Sequence, residues 1–282
     1  MSNKWKDNPC LWEEIYESNT THRVAKLFSK FDKVSVEPKE TPEVLKGLKP
    51  IVDEFWEKAK SQNPNLTSDP KYGLRGLEDV ELIDRVLTIR PFVTDYALVR
   101  FKNSRSSNEG LTSEQVDFLD NHFLTLGVHG YLLGNCYSPA LDEEFPVLYL
   151  AERVDKGPRA GLIETIPQGL VDPEKDGYAG DIFRKALARE LKEETSLELE
   201  ENIEENGLTH INIGSKYGDF TLVSRLKKRS GAVRLNPNEH KDDIAKSFYS
   251  FYSDSVLDYI RNLGRNSFNP VTIKLLEELP IW

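Results

Sequence analysis

The stretch of residues 167–197 constrains this 282-residue chain more than any other. Its second half carries Glu190, Glu193 and Glu194, which are spaced i, i+3 and i+4. In a helix this spacing puts the three carboxylates on one side and within reach of each other, where they repel one another unless a cation lies between them. The spacing is therefore typical of either a metal site or a solvated, charged helix face.

The helical azimuth favours the metal site. Successive residues of a helix are about 100° apart, so Phe183 lies about 20° from Glu190. Ala186 and Leu187 lie about 40° and 60° to either side. The apolar face of the first turns therefore continues into the glutamates, which we expect to point inward, toward a cleft. Magnesium and manganese take oxygen ligands of this kind, and Arg189 could orient the carboxylates by a bidentate pair.

This segment resembles the Nudix box, in which a glycine, five residues, a glutamate and seven residues precede the run Arg-Glu-apolar-any-Glu-Glu-any-Gly-apolar. The positions that match as they stand are Arg189, Glu190, Leu191, Glu193, Glu194 and Leu197. Gly169 resembles the glycine that opens the loop, and Asp181 lies where the family has its first glutamate.

The chain departs from the Nudix pattern at three points. Ser196 replaces the second glycine, Asp181 is one methylene shorter than glutamate, and eleven residues rather than five separate Gly169 from Asp181. The insertion, roughly residues 172–177, lengthens the loop before the helix. We expect Ser196 to be tolerated if the backbone there is not strongly left-handed.

The resemblance implies a fold and a reaction. The fold is the Nudix α/β/α sandwich with a mixed sheet, and the reaction is the metal-dependent hydrolysis of a nucleoside diphosphate linked to another moiety. The three glutamates would bind Mg²⁺ or Mn²⁺, and Gly169 would add its backbone carbonyl. One of the glutamates or a later loop residue would activate the water. Among the later residues, Glu239 and His240 are the candidates for this role.

The composition limits the partners. A net charge of −10 makes nucleic acids poor partners, because phosphate backbones are bound by clusters of Lys and Arg. No apolar run has the length of a secretion signal or of a membrane span, so we expect a cytoplasmic protein that binds no membrane. The expected partner is a small nucleoside diphosphate derivative, and the chain is a monomer or a homodimer.

The first half of the chain carries a second, less specific resemblance. Short runs at residues 55–60, 63–66, 72–76 and 94–96 are similar to the leader domain of Nudix proteins typified by the UDP-glucose and UDP-galactose pyrophosphatase. We therefore expect a smaller α+β leader domain at residues 1–124 and the Nudix domain at residues 125–282. This branch implies a UDP-sugar substrate that yields UMP and a sugar 1-phosphate. ADP-ribose or ADP-sugar hydrolysis and a silent nucleotide-binding module are the alternatives.

The hydrophobic pattern predicts the main elements. A helix is expected at 43–60 with Pro50 as a possible kink, strand material at 80–101 interrupted by Pro91, and a helix at 113–124 capped by Thr112 or Ser113. Strands are predicted at 34–36, 127–133, 145–151, 162–166, 208–213, 220–226 and 247–252. Two helices, at 254–263 and 270–279, are expected to close the chain.

Four further residues are candidates for substrate contact. An NDP-sugar needs an aromatic surface for the base and cations for the phosphates. Tyr96 and Tyr217 are the aromatic candidates, and Arg90 and Arg153 are candidates for the phosphate oxygens. Each of them, taken singly, is more often structural than functional.

Overall fold

A computed structural model of the chain describes residues 12–17, 20–25, 33–84, 86–105, 107–138, 142–154, 161–178, 181–214, 219–230, 233–237, 249–250, 264 and 272. The helices within these residues are α1 (Glu43–Gln62), α2 (Tyr96–Ser104), α3 (Ser113–Asp117), α4 (Pro173–Asp176) and α5 (Ile182–Thr195). The strands are β1 (Trp12–Glu17), β2 (Thr20–Ala25), β3 (Lys33–Val36), β4 (Pro70–Arg75), β5 (Val80–Ile83), β6 (Val86–Ile89), β7 (Phe92–Asp95), β8 (Phe123–Ser138), β9 (Glu143–Leu148), β10 (Leu150–Glu152), β11 (Ile163–Thr165), β12 (Gln168–Leu170), β13 (Ile203–Gly214), β14 (Asp219–Lys228) and β15 (Tyr249–Ser250).

The fold class is mixed α/β, as predicted, with helices and strands both before and after residue 124. The contacts of the chain divide it into two compact units. The first unit comprises Met1–Gly127, Leu170–Ala186 and Ile213–Thr221, and the second comprises Val128–Gly169, Leu187–Asn212 and Leu222–Trp282. The predicted division at residues 124 and 125 stays a prediction.

The core of the first unit is built on α1, which confirms the predicted amphipathic helix. The residues that α1 buries recur at helical spacing, and they are Leu45, Leu48, Val52 and Trp56. These side chains share a cluster with the rings of Phe92, Phe118 and Phe123, whose centroids lie 6.0 to 6.5 Å apart. Pro50 lies inside α1 on its exposed face, where water can bind the carbonyl that the missing N–H leaves unbonded.

The segment predicted as strand material up to residue 101 ends in a helix. Strand β7 stops at Asp95, and α2 follows at Tyr96, so the prediction is wrong for its last residues. The side chain of Asp95 accepts a hydrogen bond from the Leu98 N–H at 2.9 Å, and the Ser68 hydroxyl accepts one from the Ala97 N–H at 3.0 Å. Residues such as Val, Tyr and Phe suit strands, but these two caps satisfy the first helical N–H groups and stabilise the helix. Pro91 separates β6 from β7, as predicted.

The helix predicted at 113–124 is shorter than expected. The hydroxyl of Thr112 accepts a hydrogen bond from the Gln115 N–H, and the Gln115 side chain accepts one from the Thr112 N–H, so the predicted cap is confirmed. Helix α3 continues as a wider helical turn over Phe118–His122, and β8 begins at Phe123.

In the described part of the first unit, β1 pairs antiparallel with β2, and two further small sheet regions are formed. Strand β6 pairs with β3 in parallel and with β5 in antiparallel orientation, which makes this three-stranded sheet mixed. Strand β4 pairs antiparallel with β7 and with the first residues of β8. The first four residues of β4 pair with β7 and its last three with β8, so that only Gly73 has a partner on both sides.

The strands of the second unit pair antiparallel where their register is described. The later part of β8 pairs with β9, from Leu133 opposite Leu148 to Ser138 opposite Glu143. Strand β10 pairs with β11, and the two residues of β15 pair with β9. The predicted helix at 254–263 lies outside the described residues, and of the predicted helix at 270–279 only residue 272 is described, as helical. In the described part of the chain, no helix has the length and apolar character to cross a membrane.

Candidate active site

Helix α5 begins directly after Asp181, which takes the place of the family's first glutamate. The Asp181 carboxylate accepts a hydrogen bond from the Arg184 N–H at 3.2 Å, and the Asp181 carbonyl accepts one from the Lys185 N–H at 3.1 Å. A short acidic side chain at this position satisfies an N–H group of the first turn and lies at the positive end of the helix dipole. Asp181 is therefore a helix cap in this chain.

The apolar face of α5 is buried, as predicted. The side chains of Phe183, Ala186 and Leu187 are at most 3% exposed, and Leu191 is fully buried. This face anchors the helix from its first turn to its third.

Two of the three glutamates continue this buried face. Glu194 is fully buried, and 12% of the Glu190 side chain is exposed. The side chain of Glu193 is 49% exposed, so the expectation that all three point inward is wrong for Glu193. Glu194 lies about 20° from Phe183 around the helix, whereas Glu193 lies about 80° away, at the border of the face.

The opening glycine lies directly against Glu190. A Cβ atom on Gly169 would lie 2.0 Å from both the carboxyl carbon and Oε1 of Glu190. No side chain larger than hydrogen can occupy this position while the carboxylate stays where it is. The backbone of β12 and the carboxylate of α5 are therefore packed as closely as their atoms allow.

The neighbouring residue binds the buried carboxylate. The backbone N–H of Gln168 donates a hydrogen bond to Glu194 Oε2 at 3.2 Å. A buried carboxylate costs several kcal/mol of desolvation unless hydrogen bonds or cations compensate it, so this contact offsets part of that cost. The sequence pattern does not reveal Gln168, because its contribution comes from the main chain.

Arg189 supplies positive charge to the exposed side of the cluster. Its Nη1 atom lies 2.5 Å from Glu190 Oε1 and 3.5 Å from Glu193 Oε2. A single nitrogen of Arg189 therefore contacts two of the box carboxylates. The residue still brings Glu190 and Glu193 together, as its place in the box predicts.

The last turn of α5 is held by a later segment. The N–H groups of Asn236 and Arg234 donate to the carbonyls of Glu194 and Thr195, each at 3.0 Å. These bonds satisfy two of the carbonyl groups that a helix end leaves without a partner. Ser196 follows with a φ of 59°, so the condition under which a serine was expected to be tolerated is not met. A non-glycine residue in this region costs about 1 to 2 kcal/mol.

The donor set suits a hard divalent cation. Within the described ranges, no three His, Cys, Asp or Glu side chains are arranged as a metal-binding group. The carboxylates of Glu190 and Glu194 nevertheless lie at β12, one against the glycine that leaves room for it and one bonded to the adjacent N–H. Oxygen ligands of this kind fit magnesium or manganese, which are commonly bound by one or two carboxylates and water.

The candidate substrate residues lie in other contacts. Arg90 forms ion pairs with Glu81 at 2.9 Å and Glu37 at 3.1 Å. The hydrogen bond from Arg90 to Glu81 is the largest cause of a raised pKa of the guanidinium. The Tyr96 ring meets Trp56 edge to face, with centroids 6.4 Å apart.

Arg153 is paired within the second unit. Its Nη1 atom lies 3.1 Å from Oε1 of Glu164, a fully buried residue that the sequence pattern did not single out. Tyr217, Glu239 and His240 lie outside the described residues. The structure therefore brings together Gly169, Arg189 and the three glutamates, while the assignments of the other candidates stay predictions.

Three solved structures are similar to about half of this chain. The Deinococcus radiodurans protein DR0079 is 15% identical over 55% of this chain and 82% of its own, with a TM-score of 0.35. The Nudix domain of Shewanella oneidensis NrtR, solved in complex with ADP-ribose, is 16% identical over 54% and 83%, with a TM-score of 0.37. A MutT/nudix family protein from Enterococcus faecalis is 17% identical over 51% and 52%, with a TM-score of 0.30. Likenesses at this level establish no shared substrate.

The family comparison identifies the domain that contains the glutamates. A search of curated proteins gives no match. Residues 139–248 match the family model described as the NUDIX domain, a range that includes Gly169 and all of α5. This part of the chain is therefore a Nudix domain, which confirms the predicted resemblance for residues 139–248.

Proposed function

We propose that this protein is a metal-dependent pyrophosphohydrolase that cleaves the diphosphate of a nucleoside diphosphate linked to another moiety. The first substrate to test is a UDP-sugar, which would yield UMP and a sugar 1-phosphate. The observation that carries the proposal is the packing of Glu190 against Gly169 beside the buried Glu194, inside a Nudix domain. A cluster of buried acidic side chains is typical of a functional site.

The residues of the box have distinct roles in this proposal. Glu190, Glu193 and Glu194 would bind Mg²⁺ or Mn²⁺ together with the carbonyl of Gly169. The metal, when bound, neutralises charge on the diphosphate and lowers the pKa of water. Gln168 holds Glu194 in place through its N–H, and Arg189 orients Glu190 and Glu193.

The water and the substrate need further groups. Glu239 is the candidate general base, since it follows the box at a place where many Nudix enzymes keep a further carboxylate. Arg90 and Arg153 are the candidates for the phosphate oxygens, and Tyr96 and Tyr217 are the candidates for the base. Arg90 and Arg153 are both paired with carboxylates in this structure. A substrate phosphate would have to compete with those carboxylates to bind either arginine.

A silent nucleotide-binding module is the second candidate. The observations that favour it are the exposure of Glu193, its pairing with Arg189, and the left-handed Ser196. An ADP-ribose or ADP-sugar pyrophosphatase is a variant of the first proposal with another base. Retention of all three glutamates favours an enzyme, because a module that only binds has little need of three repelling carboxylates.

A hydrolysis screen separates these functions. Purified protein is incubated with UDP-glucose, ADP-ribose and other NDP-sugars in the presence of Mg²⁺ or Mn²⁺, and nucleoside monophosphate release is measured. We expect UMP from UDP-glucose, and a loss of about a hundredfold or more in Glu194→Gln and Glu193→Gln, since removal of even a supporting group costs a metal site about tenfold to a hundredfold.

The control for the screen is Glu198→Gln. Glu198 is an exposed glutamate that pairs with Lys192 at 2.7 Å, shortly after the end of α5. This variant should keep full activity. Nucleotide binding without any turnover would overturn the enzyme proposal, and turnover of ADP-ribose alone would overturn the choice of UDP-sugars.

A further inference from the structure

The insertion in the box is a folded segment fastened to β4. It contains the short helix α4, whose N-cap Asp172 accepts hydrogen bonds from the N–H groups of Glu174 at 3.0 Å and Lys175 at 3.3 Å. The N–H of Asp172 in turn donates to Asp176 Oδ2 at 2.8 Å. The segment from Leu170 to Ala186 belongs to the same compact unit as β4.

An ion pair fastens the start of this segment. Lys71 Nζ, on β4, lies 3.0 Å from Asp172 Oδ2, and the two side chains are 12% and 2% exposed. Asp172 is only three residues after Gly169 along the chain. A buried pair has one favoured geometry, because either charge without the other would be buried at high cost. The pair therefore fixes the path of the chain as it leaves the opening glycine.

A tyrosine fastens the end of the same segment. The Tyr72 N–H donates to the Val171 carbonyl at 3.3 Å, and its hydroxyl donates to the Gly177 carbonyl at 3.2 Å. Burial, with Tyr178 and Asp176 nearby, raises the pKa of Tyr72 to about 12, so the phenol keeps the proton that it donates. Gly177 ends α4 with a φ of 92°, a conformation that favours glycine.

We propose that Lys71 is a positioning residue for the Nudix box. Through its ion pair with Asp172, Lys71 holds the chain between Gly169 and α5 in the conformation that the active site requires. The role rests on the proposed function for its catalytic consequence. Lys71 and Tyr72, two contiguous residues of β4, thus hold both ends of the insertion. Without these contacts, a long free loop would join Gly169 to α5. A displacement of about 1 Å at a catalytic group can cost a hundredfold in rate. We therefore expect the rate to depend on how firmly this segment is held.

The chain offers a matched control for the ion pair. Lys39 pairs with Asp79 in the same unit, and the two side chains are 31% and 8% exposed. This pair lies far from the box in sequence and touches neither α4 nor β12 in any described contact. Lys39→Met and Lys71→Met therefore remove the same kind of interaction, and only the second removes it from the insertion.

The first measurement needs no activity. Amide hydrogen exchange of peptides covering residues 170–178 is compared among wild type, Lys71→Met and Lys39→Met. We expect exchange of these amides to be faster by about tenfold or more in Lys71→Met, because local opening exposes them, and unchanged in Lys39→Met. Asp172→Asn is the second variant if Lys71→Met does not fold, since asparagine keeps the helix cap and loses the charge.

The second measurement separates positioning from stability. Direct Mn²⁺ binding, observed by electron paramagnetic resonance, and kcat for UDP-glucose are compared in the same variants. We expect Lys71→Met to weaken Mn²⁺ binding or kcat by about tenfold to a hundredfold, and Lys71→Arg to restore most of the loss. Lys39→Met should change the melting temperature without changing either quantity.

Each outcome decides the proposal. Unchanged exchange in Lys71→Met and Asp172→Asn contradicts the fastening. Faster exchange with unchanged Mn²⁺ binding and kcat shows a structural pair and overturns the positioning role. A wild-type protein that neither binds Mn²⁺ nor hydrolyses any substrate overturns the proposed function, and the positioning role with it, while the exchange difference still measures the fastening.

Discussion

The two glycine positions of the box differ in what they require. At Gly169 the requirement is space, because a Cβ would lie 2.0 Å from the Glu190 carboxyl carbon. At position 196 the requirement is a backbone conformation, a φ of 59°, and the exposed Ser196 meets it at a cost of about 1 to 2 kcal/mol. The chain has kept the glycine whose replacement would displace a candidate metal ligand. At position 196 we expect the side chain to cost stability without displacing a candidate ligand.

The largest expected effect is that of Gly169→Ala. The added methyl group overlaps the Glu190 carboxylate, so either β12 or the glutamate must move. We expect a loss of about 1 to 3 kcal/mol in the free energy of unfolding and a fall in UDP-glucose hydrolysis of about a hundredfold or more. Urea unfolding and the hydrolysis assay measure the two effects.

Two controls test the physical reason for this effect. Gly161→Ala, at a φ of 77° with no atom within 4 Å of the new Cβ, should cost about 1 to 2 kcal/mol without loss of activity. In a Glu190→Ala background, Gly169→Ala should destabilise by at least about 1 kcal/mol less than in wild type, because the overlapping carboxylate is gone. Equal losses in the two backgrounds would contradict the overlap.

An intermediate effect of opposite sign is expected at the other glycine position. Ser196→Gly relieves the left-handed strain, and the greater freedom of glycine in the unfolded chain offsets part of the gain, so we expect stabilisation by about 0.5 to 1 kcal/mol. Activity should stay unchanged. Thermal unfolding and the hydrolysis assay check both statements.

The matched control is Ser61→Gly, in the last turn of α1. The Ser61 hydroxyl donates to the Lys58 carbonyl at 2.7 Å, and the residue is helical, so glycine should cost about 0.5 to 1 kcal/mol there. A Ser196→Gly variant that is destabilised like Ser61→Gly would show that the φ at position 196 carries no strain.

The smallest expected effect concerns pH and the segment between the two positions. Burial acts to raise the pKa of Asp172, but the hydrogen bond and charge of Lys71 and the N–H groups of Lys175 and Glu174 outweigh it, and the pKa is lowered from 3.8. The carboxylate of Asp172 therefore binds a proton more readily in the unfolded chain than in the folded one. Its contribution to stability is complete above the pKa of the unfolded chain and is lost as the pH falls through the folded pKa.

The comparison of wild type with Asp172→Asn measures this contribution. We expect the advantage of wild type in the free energy of unfolding to shrink by at most roughly 0.4 kcal/mol between pH 7 and the unfolded pKa of about 3.9, because half of the unfolded chains are then protonated at this residue. Urea unfolding at both pH values gives the difference. An advantage that grows on acidification would mean that Lys71 does not stabilise the ionised carboxylate.

The elements of strong periodicity could be predicted from the sequence. Helix α1 was recognisable from its apolar spacing, and α5 from the continuation of Phe183 and Ala186 into the glutamates. Helix α2 was not, because its Val, Tyr and Phe residues suit a strand equally well. The cap by Asp95 was a local signal that could have been used, whereas the bond from Ala97 to Ser68 joins residues 29 apart and could not be seen locally.

The site shows the same division. Residue type and helical spacing were sufficient to group Glu190, Glu193 and Glu194, and the box pattern was sufficient to connect them with Gly169. The exposure of Glu193 was not predictable, because a residue at the border of a helix face is buried or exposed by what packs beside it. The insertion was expected as loop, but Asp172 and Gly177 enclose a short helix whose fastening comes from Lys71 and Tyr72, about a hundred residues earlier.

The sequence by itself determined the Nudix domain, the mixed α/β class and the set of acidic residues, because these depend on residue identity and on spacing within single elements. Only the tertiary structure decided which glutamates are buried, why Gly169 must lack a side chain, and how the insertion is held. Those features depend on contacts between atoms far apart in the chain, such as Gly169 against Glu190 and Lys71 against Asp172. Distances of this kind arise from packing, which no local pattern encodes.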